Sequence, residues 1–157
     1  MAVLESTNLD AWVAFLRSHA AITRELSAQL QREHDMTITD YEVLLHLSRA
    51  EGGRLRRVDL AERVVLTASG ITRLLEGLER HGWVEKATCS SDARVSYAQL
   101  TETGRAKLHE AAETHLAGIH QLFNGRYSGS ELATLSDLLS RLPTTGADCT
   151  LQDSCTP

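Results

Sequence analysis

Along most of the chain apolar side chains fall three or four residues apart, the spacing that gathers them on one face of a helix. Leu9, Trp12, Val13, Leu16, Ala20, Thr23, Leu26 and Leu30 trace such a stripe and predict a long amphipathic helix over 8–34. Thr39 followed by Glu42 has the spacing of a capping box and predicts a second helix running to about Ala50. Gly52 and Gly53 permit a turn, after which Arg54, Arg56 and Arg57 lead into a short helix carrying Val58, Leu60, Ala61 and Val64. Thr67 is placed to cap a fourth helix through Ile71, Leu74, Leu75 and Leu78, which Gly82 closes in a left-handed conformation.

Beyond Gly82 the period changes. Trp83, Val84 and Ala87, then Val95, Tyr97 and Gln99, predict two short strands around a polar tip at 89–94, a β-hairpin. Thr101 opens a long helix through Leu108, Ala111, Ala112, His115, Leu116, Ile119, Leu122 and Phe123, about 36 Å if it reaches Asn124. A second capping box, Ser128 to Glu131, starts a last helix with Leu132, Leu135, Leu138, Leu139 and Leu142. From Pro143 to Pro157 the chain is rich in Thr, Ser, Asp and Gly without periodicity, and is expected to be a disordered tail. The fold class is therefore mainly α, a short-helix pair and hairpin between long flanking helices.

With 157 residues, 42% of them apolar and 24% charged, the chain has the size and make-up of one globular unit. Its two prolines, Pro143 and Pro157, leave the first 142 residues free of obligatory helix breakers. No apolar run approaches the roughly 18 residues of a membrane span, and the opening MAVLESTNLDAW lacks a signal-peptide pattern, so no membrane partner and a cytoplasmic address are expected. Three cysteines, an odd number, do not make a closed disulfide set. The net charge of −5 by itself disfavours nucleic acid, but its distribution changes the picture. Residues 1–48 hold three basic and seven acidic side chains, 49–107 eleven and eight, and 108–157 two and six, a basic centre between acidic flanks.

Two short helices joined by a tight turn and followed by a hairpin make a winged helix-turn-helix, in which the second helix can enter a major groove and the hairpin the adjacent minor groove. The residues resemble those of the MarR family of bacterial regulators: Val58-Asp59-Leu60-Ala61-Glu62, Leu66-Thr67-Ala68-Ser69-Gly70-Ile71-Thr72-Arg73-Leu74, Leu78-Glu79-Arg80-His81-Gly82-Trp83-Val84, the wing Ser91-Asp92-Ala93-Arg94, and Leu100-Thr101-Glu102-Thr103-Gly104-Arg105. The order and spacing of the last two pieces are the most specific part, within a likeness spanning roughly 8–142. The resemblance implies a homodimeric, ligand-responsive transcriptional regulator, most often a repressor, on a pseudo-palindromic double-stranded operator.

On that reading residues 35–100 form the DNA-binding region, while 1–34 and 101–142 form a helical dimerisation region. Leu9, Val13, Leu16, Leu116, Ile119, Leu135, Leu138 and Leu139 are its expected contacts. Ser69, Thr72 and Arg73 are expected to touch DNA, with Gly70 letting the backbone approach closely. Thr67 and Ser69 are equally suited to capping alone. In the wing, Ser91, Asp92 and Arg94 carry the family's minor-groove role, Asp92 orienting the arginine. Ala93 departs from wings that place another basic residue there, which makes Arg54, Arg56 and Arg57 supplementary phosphate contacts or plain solvated turn residues.

Relatives commonly bind small aromatic or phenolic anions between the dimer helices and the wing domain. His19, Tyr41 and His46 are candidate polar groups and Trp12 a candidate wall, although packing explains each as well. Some relatives sense zinc, but only His109 and Glu113 share i,i+4 spacing here, with His34 and Asp35 as supplements, and neither metal nor cofactor is expected. Peroxide-sensing relatives carry an early cysteine that is missing before Cys89, and Cys149 and Cys155 fall in the tail. No nucleophile with its base and no phosphate-binding glycine loop is spaced for catalysis, so an enzyme is not expected. The competing class is a winged-helix interaction or dimerisation module without sequence-specific DNA binding, for which the acidic total argues.

Overall fold

In the computed structural model, which describes residues 7–88 and 95–143, the chain opens with α1 (Thr7–His34) and α2 (Ile38–Arg49). A 3-10 turn at Glu51–Gly53 leads into β1 (Arg54–Arg56), α3 (Arg57–Arg63) and α4 (Ala68–Arg80). The hairpin strands β2 (Val84–Thr88) and β3 (Ser96–Leu100) follow, then α5 (Glu102–Asn124) and α6 (Gly129–Ser140). The mainly α, winged helix-turn-helix class expected from the pattern is the one observed. Among the described residues, no helix is long and apolar enough to cross a membrane.

Three details differ from the sequence expectation. The capping box of α2 is Thr37 with Asp40, two residues earlier than Thr39 and Glu42: Asp40 N donates to the Thr37 hydroxyl at 3.2 Å, and Thr37 N to the Asp40 carboxylate at 2.7 Å. Both pairs have the right spacing, and packing decides between them. Asp35, at φ 55, ends α1, and burying Met36 completely leaves Thr37 as the first extended residue free to cap. The second difference is β1, read from the sequence as a lead-in to α3. Its exposed, half-buried, exposed pattern offers one apolar residue, Leu55, and its pairing with β3 (Arg54 to Gln99, Arg56 to Tyr97) is long-range. The hairpin is thus part of a three-stranded antiparallel sheet in the order β1-β3-β2. Third, β3 buries Ala98 and Leu100, while Tyr97 and Gln99 lie half-buried on the other face.

The core gathers α2, α3, α4 and the sheet over the middle of α5. Leu44, Leu47, Leu60 and Leu75 are fully buried, with Leu30 and Met36 from the α1–α2 junction and Leu108 and Ala111 from α5. Val58, placed on the apolar side of α3 by spacing, instead faces solvent because it lies in the first turn, off the core.

Two joints give this core its rigidity. At the start of α5 the Thr101 hydroxyl donates to the Gly82 carbonyl at 2.6 Å and accepts from Gly104 N at 2.9 Å, while Thr101 N donates to the Trp83 carbonyl at 3.1 Å. A β-carbon at Gly104 would overlap that same Trp83 carbonyl, so Leu-Thr-x-x-Gly is a clip between α5 and the root of the hairpin. The second joint is the α3–α4 turn, where Val65 takes φ 53, a left-handed conformation costing a β-branched residue on the order of 1–2 kcal/mol.

Candidate nucleic-acid interface

The second short helix, α4, has the most one-sided apolar pattern among α1, α2, α4, α5 and α6. It buries Ile71, Leu75 and Leu78, which leaves Ser69, Arg73, Glu76 and Arg80 exposed at helical spacing. Thr67 is the cap, its hydroxyl accepting from Gly70 N at 3.1 Å and lying 3.3 Å from the Ser69 hydroxyl. Gly70 faces inward: a β-carbon there would stand 3.1 Å from the Thr67 hydroxyl oxygen and 3.6 Å from Leu66 Cβ, so its smallness serves the cap. The Thr72 hydroxyl donates to the Ala68 carbonyl at 2.9 Å. Arg73 is exposed, and among the described residues it makes no hydrogen bond or ion pair.

The other arginines of the basic centre are held differently. Arg56 donates through Nε and Nη2 to the two carboxylate oxygens of Asp59, at 2.8 and 2.9 Å. Arg54 stands 5.4 Å from the centre of the Tyr97 ring. Arg57 turns inward, its Nη2 3.6 Å from Glu79 on α4, which also meets Lys86 of β2 at 3.5 Å. Arg57, expected as a phosphate contact or a solvated turn residue, has Nε and Nη2 buried, and its side chain ties α3 to α4. Spacing carried no sign of this, because the Glu79 carboxylate reaches it from another helix. The wing residues Ser91, Asp92 and Arg94, with Cys89, lie outside the described residues, as does the tail from 144 onward.

An open groove of about 690 Å³ runs along α1, lined by His19, Ala20, Thr23, Arg24, Ser27, Ala28, Gln31 and Ile38, and it takes only His19 of the four expected effector residues. Trp12 is 56% exposed, one ring of an aromatic ladder through Phe15 to His19 with centroids 6.4 and 6.2 Å apart. Tyr41 is a core residue against His115, ring centres 4.6 Å apart, and burial raises its hydroxyl pKa. His46 is half-buried, its pKa lowered by burial and then by Arg63 and Arg49. Sequence reasoning placed His115 on the α5 stripe without seeing its setting: Nδ1 is buried without a hydrogen-bond partner, and burial lowers its pKa. Burial likewise raises the Glu42 pKa, against an opposing pull from His19.

Among the described residues no three His, Cys, Asp or Glu side chains stand close enough to hold a metal ion. His34, considered with Asp35 as a supplementary ligand, bonds to the Thr114 hydroxyl at 2.7 Å.

The expected dimer contacts sit on surfaces that the protomer leaves open. Leu16, Leu116, Leu138 and Leu139 are exposed, Leu9, Val13, Ile119 and Leu135 are half-buried, and α6 buries no residue at all.

Comparison with known proteins agrees with this architecture. The MarR family profile matches residues 34–95. The structure of AbsC, a MarR family transcriptional regulator from Streptomyces coelicolor, is 30% identical and superposes with a TM-score of 0.78 over 88% of this chain and 93% of AbsC. The chain belongs to the MarR family. A second MarR family regulator from the same organism, Sco3205, solved in complex with DNA, is 26% identical with a TM-score of 0.79, covering 89% of this chain and 88% of its own. The HTH-type transcriptional repressor YetL of Bacillus subtilis is 33% identical over 106 residues, 65% of this chain and 63% of YetL. This MarR-family protein is thus a transcriptional regulator, and α3 and α4 are its helix-turn-helix.

Proposed function

We propose that the protein is a homodimeric, ligand-responsive transcriptional regulator, acting as a repressor on a pseudo-palindromic operator. Residues 35–100 read DNA, with α4 in the major groove and the hairpin in the minor groove. Residues 1–34 and 101–142 form the dimerisation region. The observation that carries the reading is the outer face of α4: Ser69 and Arg73, the latter without a polar partner among the described residues, are held out by a helix whose other face is locked into the core. Arg94 extends the contact from the wing. Sco3205, in complex with DNA, supports a DNA partner of this kind.

Homodimerisation is supported by the exposed apolar residues on α1, α5 and α6, which a single protomer leaves to water. Two-fold pairing sets equivalent α4 helices about one duplex turn, ~34 Å, apart. A small aromatic or phenolic anion is the effector class we favour, since the α1 groove offers Arg24, His19 and Thr23 beside the apolar Ala20, Ala28 and Ile38. Such a ligand acts by differential affinity for the dimer spacing that fits DNA.

The test is fluorescence anisotropy of the purified protein on its own upstream intergenic DNA and on a scrambled duplex across a salt series, with the dimer state measured in parallel. Selective binding with a steep salt slope is expected. Arg94→Ala should weaken it at least tenfold, about 1.4 kcal/mol, without changing the dimer. A folded dimer that binds neither duplex would overturn the reading in favour of an interaction module.

A further inference from the structure

Two helices of the DNA-reading unit end in the same kind of turn. Behind α4, Gly82 N donates to the Glu79 carbonyl and Trp83 N to the Leu78 carbonyl, both at 3.0 Å, with Gly82 at φ 72. Behind α3, Val65 N donates to the Glu62 carbonyl at 3.3 Å and Leu66 N to the Ala61 carbonyl at 2.8 Å, with Val65 at φ 53. Both are Schellman turns, whose left-handed position suits glycine, tolerates asparagine and penalises a β-branched residue most. The chain meets that preference at Gly82 and not at Val65.

Among the described residues the valine has no place in an apolar cluster, and it is 74% exposed. It stands two residues before the Thr67 cap, at the approach to the α4 N-terminus, where Ser69 also faces out. Backbone strain of this kind persists where the surrounding structure over-determines it, and it clusters at functional sites.

We propose that Val65 is an apolar base reader, its isopropyl group packing against a thymine 5-methyl at the edge of the major groove in each operator half-site. The inference rests on the reading of α4 as the major-groove helix. The thymine methyl is the one apolar group that a base pair displays in that groove, and a side chain with no hydrogen-bonding atom can recognise it and no other base-edge feature. Glycine or asparagine would relax the turn and lose the contact.

The test uses the full-length dimer on the duplex footprinted from its own upstream DNA, with each thymine replaced in turn by deoxyuridine, which removes only the methyl. Val65→Gly should unfold about 2–4 °C higher than the wild type, as strain relief of this order implies. It should also bind the native duplex about three- to tenfold more weakly, the worth of one or two buried methyl groups. At one thymine per half-site, deoxyuridine should weaken the wild type by a similar factor and leave Val65→Gly unaffected. Val65→Asn should show the same lack of additivity and serves if the glycine variant does not fold. Variants that bind as tightly as wild type overturn the proposal. So does a loss of equal size with thymine and deoxyuridine at every position, which assigns the contact to the sugar-phosphate backbone. Should the wild type bind no duplex selectively, the regulator reading fails and takes this one with it. Selective wild-type binding without a valine effect confines the failure to Val65.

Discussion

Leu75 and Leu138 are the same residue on the same helical period, yet Leu75 is fully buried in the core and Leu138 is half exposed on α6. The contrast extends to their neighbourhoods. Around Leu75, short connections fold α2, α3, α4 and the sheet over one another, so each apolar stripe meets another within the chain. Along the first half of α1 and all of α6 the stripes are as regular, but none of their described residues is buried. A stripe specifies a helix and a face, whereas burial depends on a second surface of matching shape. Where the chain supplies none, a stripe that aqueous solubility alone would not favour points to a partner outside the protomer.

Truncating each leucine should separate the two regions most clearly. Leu75→Ala should cost about 2–5 kcal/mol in urea unfolding, at any protein concentration, because it opens a cavity in a closed core. Leu138→Ala should act chiefly through assembly and fade as protein concentration rises. Equal, concentration-independent losses would show that α6 does not serve association. Next in size, Leu116→Asp combined with Ile119→Asp should weaken the dimer at least hundredfold, about 2.7 kcal/mol, and operator binding with it, as read by sedimentation equilibrium and anisotropy. A monomer that binds the operator normally would remove the α5 stripe from the interface.

A smaller effect separates the two kinds of arginine. Arg73→Ala should reduce operator affinity about tenfold and the salt slope by about one. Arg56→Ala, already bidentate on Asp59, should change affinity less than about threefold. Equal losses would mean that Arg56 leaves Asp59 to meet DNA.

The gentlest test is pH. Burial lowers the His115 pKa in the fold, so between the unfolded value near 6.5 and the lower folded value the unfolded chain binds more protons. Stability from this group is full above that window and falls as the solution is acidified through it. His115→Phe should flatten this part of the stability profile as the pH falls below about 6.5, leaving the similar slope from His46.

Much of this architecture was legible in the sequence because its signals are local. Thr67, Thr101 and Ser128 cap the helices they were expected to open, and Gly82 takes the left-handed turn. What escaped was long-range. β1 exists because β3 returns beside it, and neither Arg54 nor Arg56 carries a strand's apolar signature. The pairing of Arg57 with Glu79 and the tilted ring contact of Tyr41 with His115 join residues far apart in the chain. Thr37 outcompeted Thr39 through the burial of Met36, which spacing does not encode. The outer face of α4 could be read in advance since it follows from helical periodicity alone, while the effector candidates had no such rule to gather them.

The clip at the start of α5 has one more consequence. With the Thr101 hydroxyl on Gly82, its amide on Trp83, and no room at Gly104 for a side chain, α5 and the root of the hairpin are fastened directly together. The arm is a lever welded to the piece it turns. A rod of 23 residues is about 35 Å long, so a tilt of about 5° displaces its far end by roughly 3 Å. A tilt of α5 would therefore carry the Gly82–Trp83 root of the hairpin with it.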